Sequence, residues 1–252
     1  MCKASVVIPY YKKKLFLKKT VLSVINQTFK KFEIIIIYDD ENKDDLDFVR
    51  KIKSLDKRIK LLINNKNIGA GFSRNIGIRK SNGKYICFID ADDLWHKDKL
   101  KIQIEFMEKN KYLATHTSYK IKNKNNKIIG TRKAKKIDDF KKLLSSCDIG
   151  LSTVIIKKNV LIEKKLKFPN LKTKEDYVLW LNLVRGGVSI YSLDKNFTTW
   201  TKAPGSLSSS SLQKIMDGFT VYNQYMNFNI FKSIYLVLIL SLNFFKKTYK
   251  NL

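Results

Sequence analysis

Two short acidic groups carry the residues best suited to chemistry. Asp90 and Asp92 stand one residue apart directly after the apolar run Tyr85–Ile89, and Glu175 and Asp176 stand just before a helix-like stretch. Two carboxylates this close repel each other unless a cation lies between them. A divalent cation with oxygen ligands does this, and the diphosphate of a ligand can complete its coordination shell. A separate carboxylate can act as a general base.

Each group also has a purely structural interpretation. Asp90 and Asp92 can form a solvated acidic turn or a helix N-cap, and Glu175-Asp176 can be an acid pair favoured by a helix dipole. An EF-hand is excluded, since Trp95 and Lys101 stand where that loop requires Gly and Glu. The dinucleotide and P-loop glycine patterns are absent too, because the third glycine position after Gly69-Ala70-Gly71 is Arg74.

The elements that must position these residues alternate between strand and helix over the first 90 residues. Predicted strands are Val6–Ile8, Glu33–Tyr38, Ile59–Ile63 and Tyr85–Ile89, and predicted helices are Leu15–Ile25, 44–54 and Gly71–Lys80. Glu33–Tyr38 is unbroken and β-branched, as expected for a strand buried on both faces. This order predicts a parallel sheet covered by helices, with ligands at the carboxyl ends of the strands.

The rest of the chain is less regular. Lys97–Lys111 predicts an amphipathic helix, and the Lys/Asn-rich segment 120–136 predicts an exposed hairpin or loop. Val154–Ile156 predicts a further strand and Val178–Val184 a helix. Trp95 is the aromatic residue best placed to stack on a sugar, whereas the aromatic residues of 222–231 are interpreted as packing positions.

Six blocks along the chain, taken together, resemble a known family. They are Ser5–Tyr11, Asn26–Phe29, Asn67–Gly77, Ile89–Trp95, Lys174–Trp180 and Pro204–Ser208. In this order they closely resemble the family 2 glycosyltransferases of GT-A fold, the bacterial inverting enzymes that build surface polysaccharides. The resemblance implies an α/β GT-A fold: a Rossmann-like, mostly parallel sheet flanked by helices, here with a C-terminal helical extension.

The resemblance also implies roles for single residues on the donor side. Uridine would be contacted by Pro9, Tyr10, Tyr11 and Asp39. Arg74 would lie near the base and phosphates. In the block Asp90-Ala91-Asp92, Asp90 would approach the ribose, and Asp92, with Asp90, would hold Mn²⁺ or Mg²⁺. Two positions depart from the family pattern: Tyr11 replaces the usual Asn, and Tyr38-Asp39-Asp40-Glu41 lacks the first acid of the usual pair.

On the acceptor side, Asp176 matches the catalytic base of the family and Glu175 its orienting neighbour. We therefore expect metal-dependent, inverting transfer of a sugar from a UDP-sugar to a hydroxyl of a lipid-linked, lipopolysaccharide or capsule glycan. The expected organisation is a nucleotide-sugar-binding half over 1–110, an acceptor-binding half with the base over 111–215, and a helical segment over 216–252. The alternatives are a non-catalytic nucleotide- or glycan-binding relative and a basic nucleic-acid-binding protein.

Composition limits these alternatives. The 252 residues are 44% apolar with a net charge of +28, which excludes a disordered tail or a fibre and favours an anionic partner. Only six of the 50 basic residues are Arg, the side chain that reads bases and clamps phosphates. We therefore expect no specific nucleic-acid partner. The lysine excess is typical of an AT-rich genome and also of attraction to an anionic membrane surface.

The cysteines and the two ends of the chain bear on location. Cys2, Cys87 and Cys147 are far apart and predict neither a disulfide framework nor a zinc site. A strand-like run begins at Ser5 where a signal peptide would need a longer apolar stretch. The expected location is therefore cytoplasmic, peripheral on the inner face of the cytoplasmic membrane.

The apolar stretch Ile234–Phe245 has two interpretations. A helix of twelve residues is about 18 Å long, shorter than the roughly 30 Å hydrocarbon core of a bilayer. It can cover the sheet as a core helix, or lie in the bilayer interface with help from Lys246, Lys247 and Lys250. We favour the interface, and expect that truncation after Phe228 releases the protein from membranes while donor binding persists.

Overall fold

The most apolar run of the chain forms the centre of the sheet. In the computed structural model, which describes residues 2–146, 148–202 and 210–249, strand β2 (Phe32–Tyr38) is buried along its whole length. Its side chains alternate between two apolar clusters, with Ile35 and Ile37 on one face and Ile34 and Ile36 on the other. The prediction of a strand buried on both faces is thus confirmed.

Nine strands of the described residues form one sheet, in the order β3-β2-β1-β4-β8-β6-β9-β5, with β7 paired to β6. Besides β2, they are β1 (Ala4–Tyr10), β3 (Ile59–Ile63), β4 (Tyr85–Phe88), β5 (Leu94–Trp95), β6 (Ala114–Lys122), β7 (Ile128–Arg132), β8 (Ile155–Lys157) and β9 (Ile190–Thr201). The first four strands are parallel, with Val6 of β1 opposite Ile34 of β2. Their carboxyl ends therefore meet at one edge.

The second half of the sheet is mixed. Strand β8 runs antiparallel to β4 and β6, whereas β9 runs parallel to β6 and antiparallel to β5. Strands β6 and β7 form an antiparallel hairpin where a hairpin or loop was predicted. The expectation of a mostly parallel sheet thus describes the first four strands, whereas among the later strands β6 pairs in parallel with β9 and the other pairs are antiparallel.

Helices cover both faces of the sheet. One face carries α1 (Lys14–Ile25), α2 (Leu46–Lys53) and α4 (Lys99–Lys109). The other carries α3 (Ala70–Lys80), α5 (Phe140–Ser145), α6 (Lys158–Glu163), α7 (Glu175–Arg185), α8 (Ser211–Thr220), a π-helical turn (Val221–Tyr225) and α9 (Ile230–Tyr249). The helices predicted at the positions of α1, α2, α3, α4 and α7 are present. The sequence analysis did not identify β5, β9, α5 or α6, and it began the C-terminal helical segment at 216, whereas α8 begins at Ser211.

Some sequence expectations stay open. The sheet continues from β4 into β8 and β6, so the proposed parts 1–110 and 111–215 share one sheet, and their division remains a prediction. The block Pro204–Ser208, Cys147 and Lys250 lie outside the described residues. Cys2 and Cys87 are both free thiols.

Two glycines bring α3 close to its neighbours. A Cβ on Gly77 would lie 2.4 Å from Cγ1 of Val7, so α3 packs on β1 with no room for a side chain. A Cβ on Gly71 would lie 2.9 Å from the carbonyl oxygen of Pro169 and 3.2 Å from Cγ of Glu175. The start of α3 is therefore held against the segment that leads into α7.

Candidate active site

The turn after β4 is held in place by two hydroxyl groups. Oγ1 of Thr20 lies within hydrogen-bond distance of the carbonyl oxygens of Ala91 (2.9 Å) and Asp93 (2.8 Å). Oγ of Ser152 accepts from the Asp90 N–H at 3.0 Å and donates to Oδ2 of Asp93 at 2.5 Å. This bonding orders the turn that presents Asp90 and Asp92.

The acids of the turn have different surroundings. Asp93 is buried and also accepts from the Thr201 N–H at 3.0 Å, and burial raises its pKa well above the usual range. The side chain of Asp92 is 13% exposed, and its Oδ2 lies 2.7 Å from Nζ of Lys13. Burial and the nearby charge of Asp90 raise the pKa of Asp92, while Lys13 opposes the rise. Asp93 is thus structural, whereas Asp92 forms an ion pair with the ammonium group of Lys13.

The donor set at this turn fits a divalent metal shared with a ligand. Asp90 and Asp92 supply carboxylate oxygens, and no group of three or more His, Cys, Asp or Glu side chains among the described residues could hold a metal ion. Mg²⁺ is commonly bound through one or two carboxylates, with phosphate oxygens and waters completing its shell. The carboxylate that would hold it, Asp92, already pairs with a cation. The residues therefore fit Mn²⁺ or Mg²⁺ bound together with a diphosphate.

Arg74 joins the two acidic groups. Its Nη2 lies 2.7 Å from Oδ1 of Asp90 and its Nη1 lies 2.6 Å from Oε1 of Glu175, while its side chain is only 4% exposed. Burial alone would lower the pKa of Arg74, but the two carboxylates raise it above its usual value, so the charge is kept. The resemblance implied that Arg74 lies near the base and phosphates; in the structure it lies between the two carboxylates, and a contact with the nucleotide remains a prediction.

Asn75, the residue after Arg74, binds the main chain of Phe168. Its Nδ2 donates to the carbonyl oxygen of Phe168 at 2.8 Å, and its Oδ1 accepts from the Phe168 N–H at 3.0 Å. The guanidinium of Arg74 lies over the Phe168 ring, 5.4 Å from its centroid. The pair Arg74-Asn75 thus fastens α3 to the segment before α7.

Glu175 and Asp176 form the first turn of α7, and α8 holds the loop before them. Oδ2 of Asp217, a buried residue of α8, accepts from the N–H of Thr173 at 2.8 Å and from its hydroxyl at 2.7 Å. Lys174 has φ of 62°, in the left-handed region, and so turns the chain into the helix. The acid pair therefore stands at the positive end of a helix dipole, as its structural interpretation also expected.

The pKa of Asp176 is raised to about 7. Burial is the main cause and the charge of Glu175 adds to it, while Arg74 and a 2.7 Å hydrogen bond from the Tyr177 N–H oppose it. A carboxylate with a pKa near neutrality is well matched to removing a proton from a hydroxyl as it reacts. Glu175 is held by Arg74, and its role as the orienting neighbour of Asp176 remains a prediction.

The residues predicted to contact uridine have unequal access. Tyr10 is fully buried: its hydroxyl donates to Oδ2 of Asp45 at 2.7 Å, and its carbonyl oxygen accepts from the Asp39 N–H at 2.8 Å, so it has no exposed surface for that contact. Tyr11 is 43% exposed, whereas Pro9 is half-buried. Asp39 is buried, and its Oδ2 accepts from the Gly69 N–H at 2.9 Å, which secures the loop before α3.

The structure changes the interpretation of Trp95 and adds residues to the candidate site. Trp95 is buried and its Nε1 donates to the carbonyl oxygen of Ser152 at 2.8 Å, so it offers no surface for stacking on a sugar. Sequence reasoning did not identify Lys13, Thr20 or Ser152 as residues of the site. Lys13 lies in a run of three lysines that look alike in sequence, and nothing near Ser152 marks it as a partner of the distant turn.

The sequence of this chain is similar to those of known glycosyltransferases. The sequence profile of the family described as Glycosyl transferase family 2 matches residues 5–166. An uncharacterized glycosyltransferase of Rickettsia felis is 37% identical over 198 residues, which are 78% of this chain and 32% of the relative. The Escherichia coli enzyme named UDP-Glc:alpha-D-GlcNAc-diphosphoundecaprenol beta-1,3-glucosyltransferase WfaP is 34% identical over 212 residues, 84% of this chain and 82% of that protein. The chain thus spans about a third of the length of the Rickettsia relative.

Solved structures share the fold. TarS 1-349 of S. aureus, in complex with UDP-GlcNAc, superposes with a TM-score of 0.71 at 21% identity, covering 94% of this chain and 71% of that one. The mannosyltransferase PcManGT of Pyrobaculum calidifontis, in complex with GDP-Man and Mn²⁺, has a TM-score of 0.69 at 13% identity, covering 93% and 69%. At these identities the likeness establishes the fold, and the predicted GT-A fold is confirmed.

Proposed function

The chain belongs to the family Glycosyl transferase family 2, and from this premise we propose that it transfers a sugar from a UDP-sugar to a hydroxyl of a lipid-linked glycan, with inversion at the anomeric carbon. The observation that carries the proposal is the chain of contacts Asp90–Arg74–Glu175. Through Arg74, Asp90 is linked to Glu175, the chain neighbour of Asp176, and the pKa of about 7 of Asp176 supports a role as base.

The donor side of the proposal rests on the carboxyl edge of the parallel strands. Asp39, Asp90 and Asp92 follow β2 and β4 at this edge, where ligands bind in open α/β sheets. UDP is preferred as the nucleotide because WfaP is named for UDP-Glc and TarS was solved with UDP-GlcNAc. Mn²⁺ or Mg²⁺ at Asp92 and Asp90, when bound, would neutralise the negative charge that grows on the departing diphosphate.

The transfer itself assigns a proton and a bond to named groups. Asp176 removes the proton of the acceptor hydroxyl as its oxygen attacks the anomeric carbon of the donor. The bond from that carbon to the diphosphate breaks on the opposite face, so the configuration inverts through an oxocarbenium-like state, as in inverting hydrolysis. Arg74 keeps the charge of Glu175 paired, which limits the rise in the pKa of Asp176.

The proposed acceptor is a lipid-linked glycan held in a membrane. WfaP is named for a diphosphoundecaprenol-linked acceptor, and we extend this class of acceptor, in lipopolysaccharide or capsule assembly, to the present chain. Such an acceptor requires the protein to work at the inner face of the cytoplasmic membrane. No helix in the described ranges is long and apolar enough to cross a bilayer. The exposed apolar residues of α9 and the net charge of +28 support the proposal that the protein attaches peripherally to this membrane.

Helix α9 has two apolar faces. Leu236 and Val237 are buried in the core cluster that contains α7, as the core-helix interpretation expected. Phe231 is 86% exposed, contrary to its interpretation as a packing residue, and Leu238 and Leu242 are 58% and 59% exposed. An exposed apolar row beside lysines is suited to the interface of an anionic bilayer. The buried face agrees with the core-helix interpretation, and the exposed face is the one that we propose lies in the bilayer interface.

Calorimetric titration with UDP-, GDP- and dTDP-sugars tests the donor proposal. Each sugar is titrated with Mn²⁺ and with EDTA, into the wild type and into Asp92→Ala. We expect metal-dependent binding of a UDP-sugar that is lost in Asp92→Ala. The matched control is Asp47→Ala, which removes an exposed acid of α2 that pairs with Arg50 and should bind as the wild type does.

Product analysis then tests the reaction. A β-linked product from an α-linked donor is expected, and its anomeric configuration is read from the proton coupling constant by NMR. Folded protein that binds no nucleotide under any condition would refute the transferase proposal, and an α-linked product would refute inversion.

A further inference from the structure

We infer that Lys13 occupies the cation position at Asp92 until the donor arrives, and that it then moves to the diphosphate of the donor. This inference deepens the proposed function and rests on it. It makes Lys13 a positioning residue that couples binding of the divalent cation to binding of the nucleotide.

The backbone aims Lys13 at the acidic turn. Lys13 is the residue just before α1, and Lys12 has φ of 49°, a left-handed conformation uncommon for a residue other than glycine. This turn brings Nζ of Lys13 to 2.7 Å from Oδ2 of Asp92. The side chain of Lys13 is 28% exposed and that of Asp92 is 13% exposed, so water screens the pair only in part.

Each acid of the turn has its own compensating group. Asp90 pairs with Arg74, and Asp93 accepts hydrogen bonds from Ser152 and Thr201. Asp92 pairs with Lys13. The ammonium of Lys13 is therefore the counter-charge of the one acid in this turn that a metal would use most directly.

A divalent cation cannot share this position with an ammonium group. Two cations within about 4 Å of each other at a partly buried site repel strongly, and the repulsion is larger still when one of them is divalent. Binding of Mn²⁺ at Asp92 must therefore displace Lys13, and this cost weakens binding of the metal alone. A bound diphosphate would offer the displaced ammonium a new anionic partner at the same edge.

The consequence is reciprocal coupling. If the donor receives Lys13, the donor strengthens metal binding, and by linkage the metal strengthens donor binding by the same factor. Removal of the charge at residue 13 should separate the two events. The metal should then bind more tightly without nucleotide, and the enhancement by nucleotide should shrink.

The experiment measures Mn²⁺ affinity from the free Mn²⁺ signal in electron paramagnetic resonance, with and without UDP. Lys13→Met keeps the length of the side chain and removes its charge, and Lys13→Gln gives a second, polar variant. Without UDP, we expect both variants to bind Mn²⁺ about three- to tenfold more tightly than the wild type, as for loss of a partly exposed charge pair. The affinity gained on adding UDP should be smaller than in the wild type.

Two controls make the result specific. Lys14→Met removes the neighbouring lysine, which is 55% exposed and lies 3.2 Å from Asp45 rather than Asp92, and should leave Mn²⁺ affinity unchanged. Asp92→Asn should lose Mn²⁺ binding in the wild-type background and in both Lys13 variants. Equal Mn²⁺ affinity in the wild type and both Lys13 variants without UDP would overturn the inference.

The comparison of Mn²⁺ affinities without UDP can be interpreted independently of the proposed UDP-sugar donor. Tighter Mn²⁺ binding by the Lys13 variants, with no effect of UDP in any protein, would confirm displacement of Lys13 and refute a UDP-linked donor. An unchanged enhancement by UDP in the Lys13 variants would overturn the transfer of Lys13 to the diphosphate.

Discussion

At the scale of single residues, the pKa of Asp176 sets the pH range in which the site can work. A general base must be deprotonated, and burial and Glu175 raise the pKa of Asp176 to about 7. We therefore expect kcat/KM to rise through about pH 7 and to level off above it, since kcat/KM reports the groups of the free enzyme. Asp176→Asn should lose transfer by about 10²–10⁴-fold while it still binds the donor.

The variant Glu175→Gln tests whether Asp176 is the group whose titration produces the acidic limb of kcat/KM. The charge of Glu175 raises the pKa of Asp176, and its loss also frees Arg74 to act on Asp176, so both effects move the acidic limb of kcat/KM to lower pH. The matched control is Glu163→Gln, an exposed acid of α6 whose loss should leave the limb in place. A limb that stays in place in Glu175→Gln would contradict the assignment of Asp176 as the titrating base.

At the scale of elements, the loop before α7 depends on α8. Asp217→Ala leaves the N–H and hydroxyl of Thr173 without their acceptor in a buried position. Unpaired buried donors cost about 1–3 kcal/mol, and the shifted loop would also displace Asp176. We expect the free energy of unfolding in urea to fall by that amount and kcat to fall with it.

Gln213→Ala is the control for this element. Nε2 of Gln213 donates to Oδ1 of Asp217, the oxygen that does not hold Thr173. Its removal should cost no more than about 1 kcal/mol, the usual worth of one hydrogen bond, and leave kcat unchanged. Equal losses in the two variants would show that the bonds to Thr173 do not position α7.

Helix α3 shows how an element serves both fold and site. Gly77 allows it to approach Val7 of β1, and Gly71 allows it to approach Pro169. Arg74 and Asn75 lie between these two glycines and make the contacts to Glu175 and Phe168. The block Asn67–Gly77 was identified from sequence as one motif, and its residues are here parts of one close packing arrangement.

At the scale of the whole molecule, the net charge of +28 and the exposed face of α9 act together. The triple variant Phe231→Ser, Leu238→Ser and Leu242→Ser removes apolar surface without touching the buried face of the helix. We expect the wild type to sediment with vesicles containing anionic phosphatidylglycerol and the variant to bind at least tenfold more weakly. Added salt should weaken both, because the lysines contribute through charge.

The control variant replaces three exposed apolar residues outside α9. Leu15, Leu55 and Ile162 are 86%, 47% and 59% exposed, and their triple replacement by Ser should leave vesicle binding unchanged. Equal losses in both triple variants, or no binding by the wild type, would contradict a role for α9. Truncation after Phe228 is a poorer test than the sequence suggested, because it would also remove Leu236 and Val237 from the core.

The sequence by itself determined the elements of the first half and the residue types of the site. Unbroken β-branched runs and helical spacing predicted β1 to β4 and α1 to α3, because these patterns depend on near neighbours in the chain. The carboxyl ends of parallel strands share an edge, so Asp39, Asp90 and Asp92 were expected together there. Resemblance to a family added Asp176, and the family itself is confirmed.

Only the tertiary structure decided how the charges are paired. Arg74 and Glu175 are 101 positions apart in the chain, and their contact exists because Gly71 and Asn75 hold α3 against the segment before α7. Lys13 is one of 44 lysines, and its pairing with Asp92 depends on the turn at Lys12. Periodicity describes a residue's own element, whereas a charge takes its partner from whichever element packs beside it, and that packing is a property of the folded chain.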